Sequence, residues 1–361
     1  MKTKKIFILT AAVLIFTLLS GCSAAAMNSN SWPGLSATDE TVYLANGRFV
    51  YALQAKNGSI IWQYPAEKAD SKEAYYADPI LTEDNQLILA SAGSNHSLTS
   101  VNAENGRLNW TFSDAKDTWI ASPLVVDEII YAPNSDGKLY ALDLNGSFLW
   151  AKHISDNALW AQPESDGEYL YITSLDHHLY GFNKETKEVV WDVGLNGAIP
   201  GKATLDENGA LYIGTLDATM TAIDAETQAI LWATPLEGWV WDTAIIQDGA
   251  LYVGDLEGYF YGFDTEDGTQ LWAPVLSDGP VTGTPLVTDE HILIGTETGT
   301  VYAFDKEGGI DWQQRIDGKL YTNPVESGDL TFFALMENES NIALIALDVD
   351  GKQVWSFTPE K

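Results

Sequence analysis

The sequence predicts an all-β fold, an eight-bladed β-propeller built from four-stranded antiparallel blades. Three observations support this prediction: eight of the 13 tryptophans recur at intervals of 40 to 48 residues, a similar short string surrounds each of them, and no stretch after Cys22 shows sustained helical periodicity. A repeat of about forty residues indicates a propeller or a solenoid. Because each repeat divides into four short apolar strands separated by turn residues, the propeller is favoured.

The segment before the repeats predicts export and a lipid anchor. Three lysines precede an uncharged stretch over residues 6–19, which is typical of a secretion signal. The string LSGC over residues 19–22 follows, and it resembles the lipobox of bacterial lipoproteins, where the cysteine becomes acylated. We therefore expect a signal peptide over residues 1–21, a lipidated Cys22 that anchors the chain to a membrane, and a flexible tether over residues 22–31. The alternative is an ordinary cleaved signal with a chance cysteine.

The propeller is expected over residues 32–361, with one tryptophan in the outermost strand of each blade. These eight residues are Trp62, Trp110, Trp150, Trp191, Trp232, Trp272, Trp312 and Trp355. Glycine stands four residues before six of them, and Lys187 and Gln228 take that place in the other two, as suits a hairpin turn with positive φ. We expect each indole to lie across the gap to the neighbouring blade, with its N–H on a backbone carbonyl. These tryptophans are assigned a structural role, without a part in catalysis or ligand binding.

Residues 119–152 show the expected blade in detail. Strands are predicted over residues 123–126, 129–132, 138–142 and 147–151, separated by turn residues. Because the repeats begin and end in register, the last blade is complete without a strand borrowed from the N-terminus. The first and last blades are therefore expected to be joined by packing alone.

Charge and rare residue types exclude several classes of function. The chain has 51 acidic and 19 basic side chains and a formal net charge of -32, so the basic face that nucleic-acid binding requires is missing. One cysteine cannot form an intrachain disulfide, and the five histidines lack the spacing of a zinc site. No G-x-S-x-G or H-E-x-x-H motif is present. We expect no nucleic-acid partner, no metal, no cofactor and no enzymatic activity.

Aspartates recur just before the hairpin turns of five repeats. They are Asp143, Asp224, Asp264, Asp305 and Asp348. This recurrence is compatible with calcium-binding loops. The favoured interpretation is that each carboxylate accepts backbone N–H bonds and fixes its turn.

The repeated string identifies a family resemblance that covers essentially the whole chain after Cys22. The pattern A-L-D-x-x-x-G-x-x-x-W, as in YALDLNGSFLW over residues 140–150, resembles the pyrroloquinoline-quinone repeat. That resemblance implies an eight-bladed propeller with tryptophan docking between blades. The family contains quinone-dependent dehydrogenases, which need a pair of adjacent cysteines and a calcium ion, and a non-catalytic lipoprotein that assists outer-membrane β-barrel assembly. The single cysteine, the lipobox and the compact repeats resemble the second branch, and the propeller itself is expected to be a monomer.

One face of the propeller is the candidate binding surface. If each blade runs from its inner to its outer strand, the inter-blade connections and the turns between second and third strands share a face. The connections bring aromatic residues to this face: Tyr76, Trp119, Trp160, Trp239, Trp241 and Tyr321. The turns bring apolar tips and acidic neighbours: Leu175, Leu216 and Leu256, with Asp136, Asp176, Asp217 and Glu257. Such a surface suits protein or ligand docking, but the aromatics could equally plug the channel while the leucines fold inward.

The leading functional hypothesis is a non-enzymatic, lipid-anchored docking scaffold outside the cytoplasmic membrane. The resemblance implies a β-barrel assembly protein as its partner, provided that the cell has an outer membrane; the anchor would then lie on the periplasmic face of that membrane, or otherwise at the cell surface. The alternative hypothesis is a surface lipoprotein that binds a sugar or peptide in the aromatic funnel, with Trp160, Trp241 and Tyr321 stacked on the ligand. A quinone-dependent dehydrogenase is the least favoured interpretation.

Overall fold

The computed structural model describes residues 32–336, 338 and 340–360. The expected signal peptide, Cys22 and the tether lie outside the described residues. The described part of the chain forms 32 β-strands in eight four-stranded antiparallel sheets. Within it, no helix has the length and apolar character needed to cross a membrane. The predicted eight-bladed β-propeller is confirmed.

Each blade consists of four consecutive strands, numbered here in chain order. Blade 1 has β1 (Gly34–Ala37), β2 (Thr41–Asn46), β3 (Phe49–Gln54) and β4 (Ile60–Tyr64); blade 2 has β5 (Ile80–Leu81), β6 (Gln86–Ala90), β7 (Leu98–Asn102) and β8 (Leu108–Phe112). Blade 3 has β9 (Leu124–Val126), β10 (Ile129–Pro133), β11 (Lys138–Asp143) and β12 (Phe148–His153); blade 4 has β13 (Glu164–Ser165), β14 (Tyr169–Thr173), β15 (His178–Asn183) and β16 (Glu188–Gly194). Blade 5 has β17 (Thr204–Leu205), β18 (Ala210–Gly214), β19 (Thr219–Asp224) and β20 (Ile230–Pro235); blade 6 has β21 (Ile245–Gln247), β22 (Ala250–Gly254), β23 (Tyr259–Asp264) and β24 (Val275–Leu276). Blade 7 has β25 (Leu286–Val287), β26 (Ile292–Gly295), β27 (Thr300–Phe304) and β28 (Ile310–Arg315); blade 8 has β29 (Val325–Ser327), β30 (Leu330–Ala334), β31 (Leu344–Leu347) and β32 (Gln353–Phe357).

The strands of blade 3 agree with their predicted bounds to within two residues. Its two middle strands, β10 and β11, are buried along nearly their whole length. Neighbouring blades cover both faces of these strands, so they appear in the sequence as continuous apolar runs. The outermost strand β12 is exposed or half-buried throughout and carries mixed residues.

In seven of the eight blades, a small residue on the third strand pairs with the tryptophan of the outermost strand and leaves room for its indole. The cross-strand pairs are Ala52 with Trp62, Ser100 with Trp110, Ala141 with Trp150, Gly181 with Trp191, Ala222 with Trp232, Ala303 with Trp312 and Ala346 with Trp355. The ladder shifts by one residue directly after each of these pairs. Such bulges increase the local twist of a strand pair, which suits the twisted blades of a propeller.

The indoles reach across to the next blade. The N–H groups of Trp62, Trp110, Trp232, Trp312 and Trp355 donate to the carbonyl oxygens of Ala103, Leu144, Thr265, Val349 and Ala55, at 2.8, 2.9, 3.0, 2.9 and 2.9 Å. Trp272 differs, because its indole nitrogen is buried without a hydrogen-bond partner among the described residues. The contact surface between two adjacent blades is called a seam below. The seam between blades 6 and 7 therefore lacks a bond that other seams make.

The hairpin turns receive these indoles. All eight turn positions four residues before the tryptophans have positive φ, including Lys187 and Gln228 at 59°. At Gly146, where φ is 77°, an added Cβ would lie 2.4 Å from the indole of Trp110. Glycine at this turn therefore provides both the backbone conformation and the space for the neighbouring blade's ring.

The turn aspartates make the backbone bonds expected of them. Asp143 accepts N–H bonds from Asn145 and Ser147 at 2.9 and 2.8 Å, and Asp305 accepts from Glu307 and Gly309 at 2.9 and 2.7 Å. The backbone bond from Ser147 contributes most to holding the pKa of Asp143 below its usual value. The interpretation of these residues as turn-fixing is confirmed.

The core of the protein lies between the blades. The described residues contain eight buried apolar clusters, and each combines side chains of two adjacent blades. The cluster between blades 8 and 1 closes the ring, with no strand shared between those blades. The expectation that packing alone joins them is wrong, because Trp355 N–H donates to Ala55 O at 2.9 Å and Ser327 Oγ donates to Asp39 O at 2.9 Å.

Candidate docking face and central channel

The inter-blade connections and the turns between second and third strands lie side by side on one face. Backbone bonds join them: Leu175 N–H to Ala158 O at 3.3 Å, Leu216 N–H to Ala198 O at 3.0 Å, and Leu256 N–H to Trp239 O at 2.9 Å. This surface, formed by the inter-blade connections and these turns, is called the channel face below. It surrounds one mouth of the central channel.

Trp239 is the most exposed of the predicted aromatic and apolar face residues, with 57% of its surface accessible. Leu175, Leu216 and Leu256 are half-buried at their turn tips. Their side chains retain accessible apolar surface beside the connections of blades 4 to 6. The structure thus brings the three leucines and Trp239 to the same face.

Trp119 is placed differently from the other aromatic residues of the connections. Its side chain is fully buried, its indole N–H donates to His96 O at 2.9 Å, and its ring packs edge to face on Tyr140. Trp119 thus belongs to the core between blades 2 and 3. It offers no surface to a partner in this structure.

The other predicted aromatics line a cavity of about 460 Å³ in the channel. Tyr76, Trp160, Trp241 and Tyr321 contribute to its wall, and Trp32 joins them. Trp32 of blade 1 meets Trp241 of blade 6 edge to face, with ring centroids 5.9 Å apart. The ring of Tyr321 is held in place, because its hydroxyl donates to Glu297 Oε1 at 2.5 Å. The cavity is within the size range of small-molecule sites, about 300–1,000 Å³.

A ring of mostly polar residues encircles the channel directly before the inner strands. Its members are Trp32, Asp78, Ser122, Gln162, Lys202, Thr243, Thr284 and Asn323. Several of them bond to the adjacent blade: Asp78 N–H to Ser122 Oγ at 3.0 Å, Gln162 Nε2 to Pro123 O at 2.8 Å, Lys202 N–H to Thr243 Oγ1 at 3.1 Å, and Thr284 N–H to Asn323 Oδ1 at 2.7 Å. These bonds link neighbouring blades at the channel wall.

Two carboxylates and one ammonium group line the channel. Asp78 Oδ1 accepts the N–H of Leu35 at 2.8 Å, and Asp242 Oδ1 accepts the N–H of Thr243 at 2.8 Å. Burial, reinforced by the charge of Asp242, raises the pKa of Asp78 to about 6. Burial also raises the pKa of Asp242. Lys202 opposes both shifts through its positive charge and binds Glu164 at 3.2 Å.

The acidic residues of the turns between second and third strands differ in their burial and in the hydrogen bonds that they accept. Asp136 accepts the hydroxyl of Tyr140 at 2.8 Å, and Asp176 accepts the hydroxyls of Tyr180 and Ser155, each at 2.6 Å. Although burial alone would raise the pKa of Asp176, these bonds hold it below its usual value. In blades 5 and 6, the corresponding residues Asp217 and Glu257 are exposed.

The sequence analysis missed Asp78, Asp242 and Lys202. A signal for the ring was present, because a polar residue followed by proline recurs before the inner strands: Asp78-Pro79, Ser122-Pro123, Gln162-Pro163, Thr284-Pro285 and Asn323-Pro324. Asp242 has no such signal. It stands where other blades have Ala77, Ala121, Ala161, Gly201, Gly283 and Thr322.

No group of three or more His, Cys, Asp or Glu side chains in the described part of the chain is arranged to hold a metal ion. The adjacent cysteines that a quinone-dependent dehydrogenase would use are missing from the sequence, whose single cysteine is Cys22. The channel wall therefore contains no pair of adjacent cysteines.

Three kinds of similarity connect the chain to known proteins. A family model described as outer membrane protein assembly factor BamB matches residues 23–174, 175–284 and 275–361. The outer membrane protein assembly factor BamB of Legionella pneumophila (strain Paris) is 25% identical over 136 residues, which are 37% of this chain and 33% of the relative. The chain thus aligns with about a third of the length of that curated relative.

Solved structures share the fold at low sequence identity. BamB from Moraxella catarrhalis has a TM-score of 0.71 and 17% identity, covering 89% of this chain and 94% of its own. The computationally designed Ika8 protein has a TM-score of 0.74 and 13% identity, with 91% and 97% covered. A europium-containing methanol dehydrogenase has a TM-score of 0.70 and 15% identity, with 84% and 81% covered. Since the family model spans nearly all of the chain, this protein belongs to the family described as outer membrane protein assembly factor BamB.

Proposed function

We propose that this protein is a non-enzymatic, lipid-anchored scaffold outside the cytoplasmic membrane, which docks a protein of β-barrel assembly on its channel face. Family membership and the name of the Legionella relative support the assembly role. The string ending at Cys22 supports export and the anchor. The geometry of the channel face supports docking.

The exposed side chain of Trp239 is the observation that carries the docking proposal. Equivalent positions in other connections make the same backbone bond with small or polar residues: Ala74, Thr118, Ala158, Ala198, Pro280 and Lys319. An alanine therefore satisfies the fold at this position, and the indole of Trp239 has no structural task there. A large apolar side chain that is 57% exposed and not needed for folding is typical of an interface anchor.

The connection that carries Trp239 is firmly held. Glu237 N–H donates to the Tyr261 hydroxyl at 2.9 Å, and that hydroxyl donates to the fully buried Asp255 at 2.7 Å. Val240 N–H bonds to Thr215 O at 3.1 Å on the other side of Trp239. An anchor held in place before binding loses less conformational entropy when its partner docks.

The chemistry around this anchor indicates what it would meet. Leu256 and Leu216 add apolar surface, and the exposed carboxylates of Asp217 and Glu257 stand beside them. With a net charge of -32, the protein would attract basic segments from a distance. The partner surface is therefore expected to be an apolar patch flanked by lysine or arginine.

The test uses the full-length acylated protein in its native envelope. Wild type, Trp239→Ala and Leu276→Ala are crosslinked, purified and compared by quantitative mass spectrometry. Leu276 is a matched control because it is 58% exposed but lies on the outermost strand β24. We expect a β-barrel assembly protein to be recovered with wild type and L276A, and at least tenfold less of it with W239A.

The control measurement is thermal stability. W239A should shift Tm by less than about 2 °C, because an exposed side chain without structural contacts contributes little to folding. Equal recovery of the partner with W239A would contradict the assigned docking site. Absence of any β-barrel assembly protein from the wild-type sample would contradict the assembly role itself.

A further inference from the structure

We infer that the central channel binds a small organic ammonium ion, whose charged group lies between Asp78 and Asp242 and whose alkyl part lies against the aromatic wall. This site is separate from the docking role proposed above, because it uses the interior of the channel and does not use Trp239. Three properties of the cavity lead to this ligand class.

The first property is an excess of negative charge inside the channel. Asp78, Asp242 and Glu164 supply three carboxylates in and beside the wall, and Lys202 supplies one ammonium group. Lys202 binds Glu164 at 3.2 Å, so its charge is shared with a residue that does not line the cavity. Buried charges in proteins are normally paired. A cation in the channel would supply the pairing that the two aspartates lack.

The second property is that several side-chain hydrogen-bond donors in the wall are already used within the protein. The Gln162 amide donates to Pro123 O at 2.8 Å, the Thr243 hydroxyl donates to Asp242 at 3.1 Å, and the Thr282 hydroxyl donates to Leu320 O at 3.3 Å. These donors are used between or within blades. A sugar needs both donors and acceptors from its site, whereas an ammonium ion needs acceptors alone. The carboxylates of the channel are such acceptors.

The third property is the aromatic wall. Trp32, Tyr76, Trp160 and Trp241 surround the same cavity of about 460 Å³, whereas the ring of Tyr321, also in the wall, already faces Lys319 Nζ at 5.7 Å. Aromatic faces attract cations through their quadrupole, and the attraction increases when water is excluded. The wall also provides apolar contact for an alkyl chain. Carboxylates and rings on one concave surface therefore favour an organic cation over an inorganic one.

Raised pKa values agree with this inference. Burial and the charge of Asp242 raise the pKa of Asp78 to about 6, and burial raises that of Asp242. The other charged groups at the channel wall are Lys202 with Glu164, and Lys319 with Glu297 beside Tyr321. A cation that enters should favour the ionised form of both aspartates, and its binding should release protons below about pH 6.

The probe is pentane-1,5-diamine, titrated calorimetrically at pH 7.5 into the protein. Its neutral counterpart pentane-1,5-diol and Mg²⁺ are titrated in parallel, to separate organic cation binding from apolar filling and from general attraction to the acidic surface. We expect one diamine per chain, no binding of the diol, and no competition by equimolar Mg²⁺. Equal binding of diamine and diol, or full displacement by Mg²⁺, would overturn the inference.

Variants locate the site. Asp242→Asn should weaken diamine binding at least tenfold, which corresponds to about 1.4 kcal/mol. Glu266→Gln removes the same charge from an exposed hairpin turn and should leave the affinity unchanged. Trp160→Leu tests the aromatic wall without altering a carboxylate, and it should also weaken diamine binding several-fold. If D242N does not fold, W160L and the diamine–diol comparison decide; unchanged diamine affinity in W160L would then contradict the site.

Discussion

Gly146 shows how a single residue serves two blades. Its φ of 77° is unfavourable for a side chain, and the space where a Cβ would stand is filled by the Trp110 indole of blade 2. Lys187 and Gln228 occupy the same turn position at 59°, so the backbone conformation alone does not demand glycine. The close approach of the neighbouring ring distinguishes Gly146 from an ordinary turn glycine.

We predict that Gly146→Ala destabilises the protein by about 2–5 kcal/mol, since left-handed strain costs about 1–2 kcal/mol and overpacking about 1–3 kcal/mol. Gly209→Ala is the matched control: its φ is 84°, and an added Cβ would meet nothing within 4 Å. G209A should cost about 1–2 kcal/mol, from backbone strain alone. Denaturant unfolding of both variants measures the difference. Equal losses would show that the indole moves aside and that docking tolerates a methyl group.

At the scale of elements, blade 6 departs from the pattern of the other blades. Its outermost strand β24 has two residues, Val275 and Leu276, whereas β12 and β20 have six each. Pro274 stands two residues after Trp272, where blade 5 has Thr234. Proline cannot donate a ladder bond and restricts the residue before it, so the strand begins late.

We predict that Pro274→Thr extends β24 toward Trp272 and raises the stability of the protein by about 1 kcal/mol, because one ladder bond and the indole bond can form. The expected indole acceptor is Lys306 O, which is equivalent to Leu144 O in blade 3. The reverse change, Thr234→Pro in blade 5, should lower stability. Thermal unfolding compares the two, and a lower Tm for P274T would refute this account of the weak seam.

These elements also show how far sequence reasoning reached. Strand bounds in blade 3 were predictable to within two residues because turn residues and apolar runs alternate there without interruption. The late start of β24 follows from Pro274, a single residue that departs from the repeat. It could be predicted only from the backbone restrictions of proline, because the repeat pattern itself does not show it. The exposed state of Trp239 and the buried state of Trp119 were not distinguishable, because residues one position apart in a connection point to different environments.

The whole molecule brings together residues that the chain keeps apart. Asp78 and Asp242 belong to blades 2 and 6, separated by 164 positions in sequence, yet their charges influence each other across the channel. Trp32 and Trp241 meet across the same channel from blades 1 and 6. Such pairs arise from closure of the ring, so a pattern repeated every forty residues could predict the face but not these contacts.

Ring closure is also where the molecule is expected to open first. Seven seams are crossed by the chain itself, whereas blades 8 and 1 are joined by a buried cluster and by the bonds from Trp355 and Ser327. We predict that Trp355→Ala allows blades 1 and 8 to separate, and so increases amide hydrogen exchange in β3 and β31 while the middle blades stay protected.

The control is Trp232→Ala, which removes an equivalent indole bond, to Thr265 O, at a seam that the chain crosses. Both variants lose a large indole, but opening the seam between blades 5 and 6 would strain the connection that carries Trp239. W232A should therefore lower the global stability without selective exchange at its seam. Hydrogen exchange followed by mass spectrometry distinguishes the two patterns, and uniform exchange in W355A would mean that the ring unfolds as a single unit despite lacking a shared closing strand.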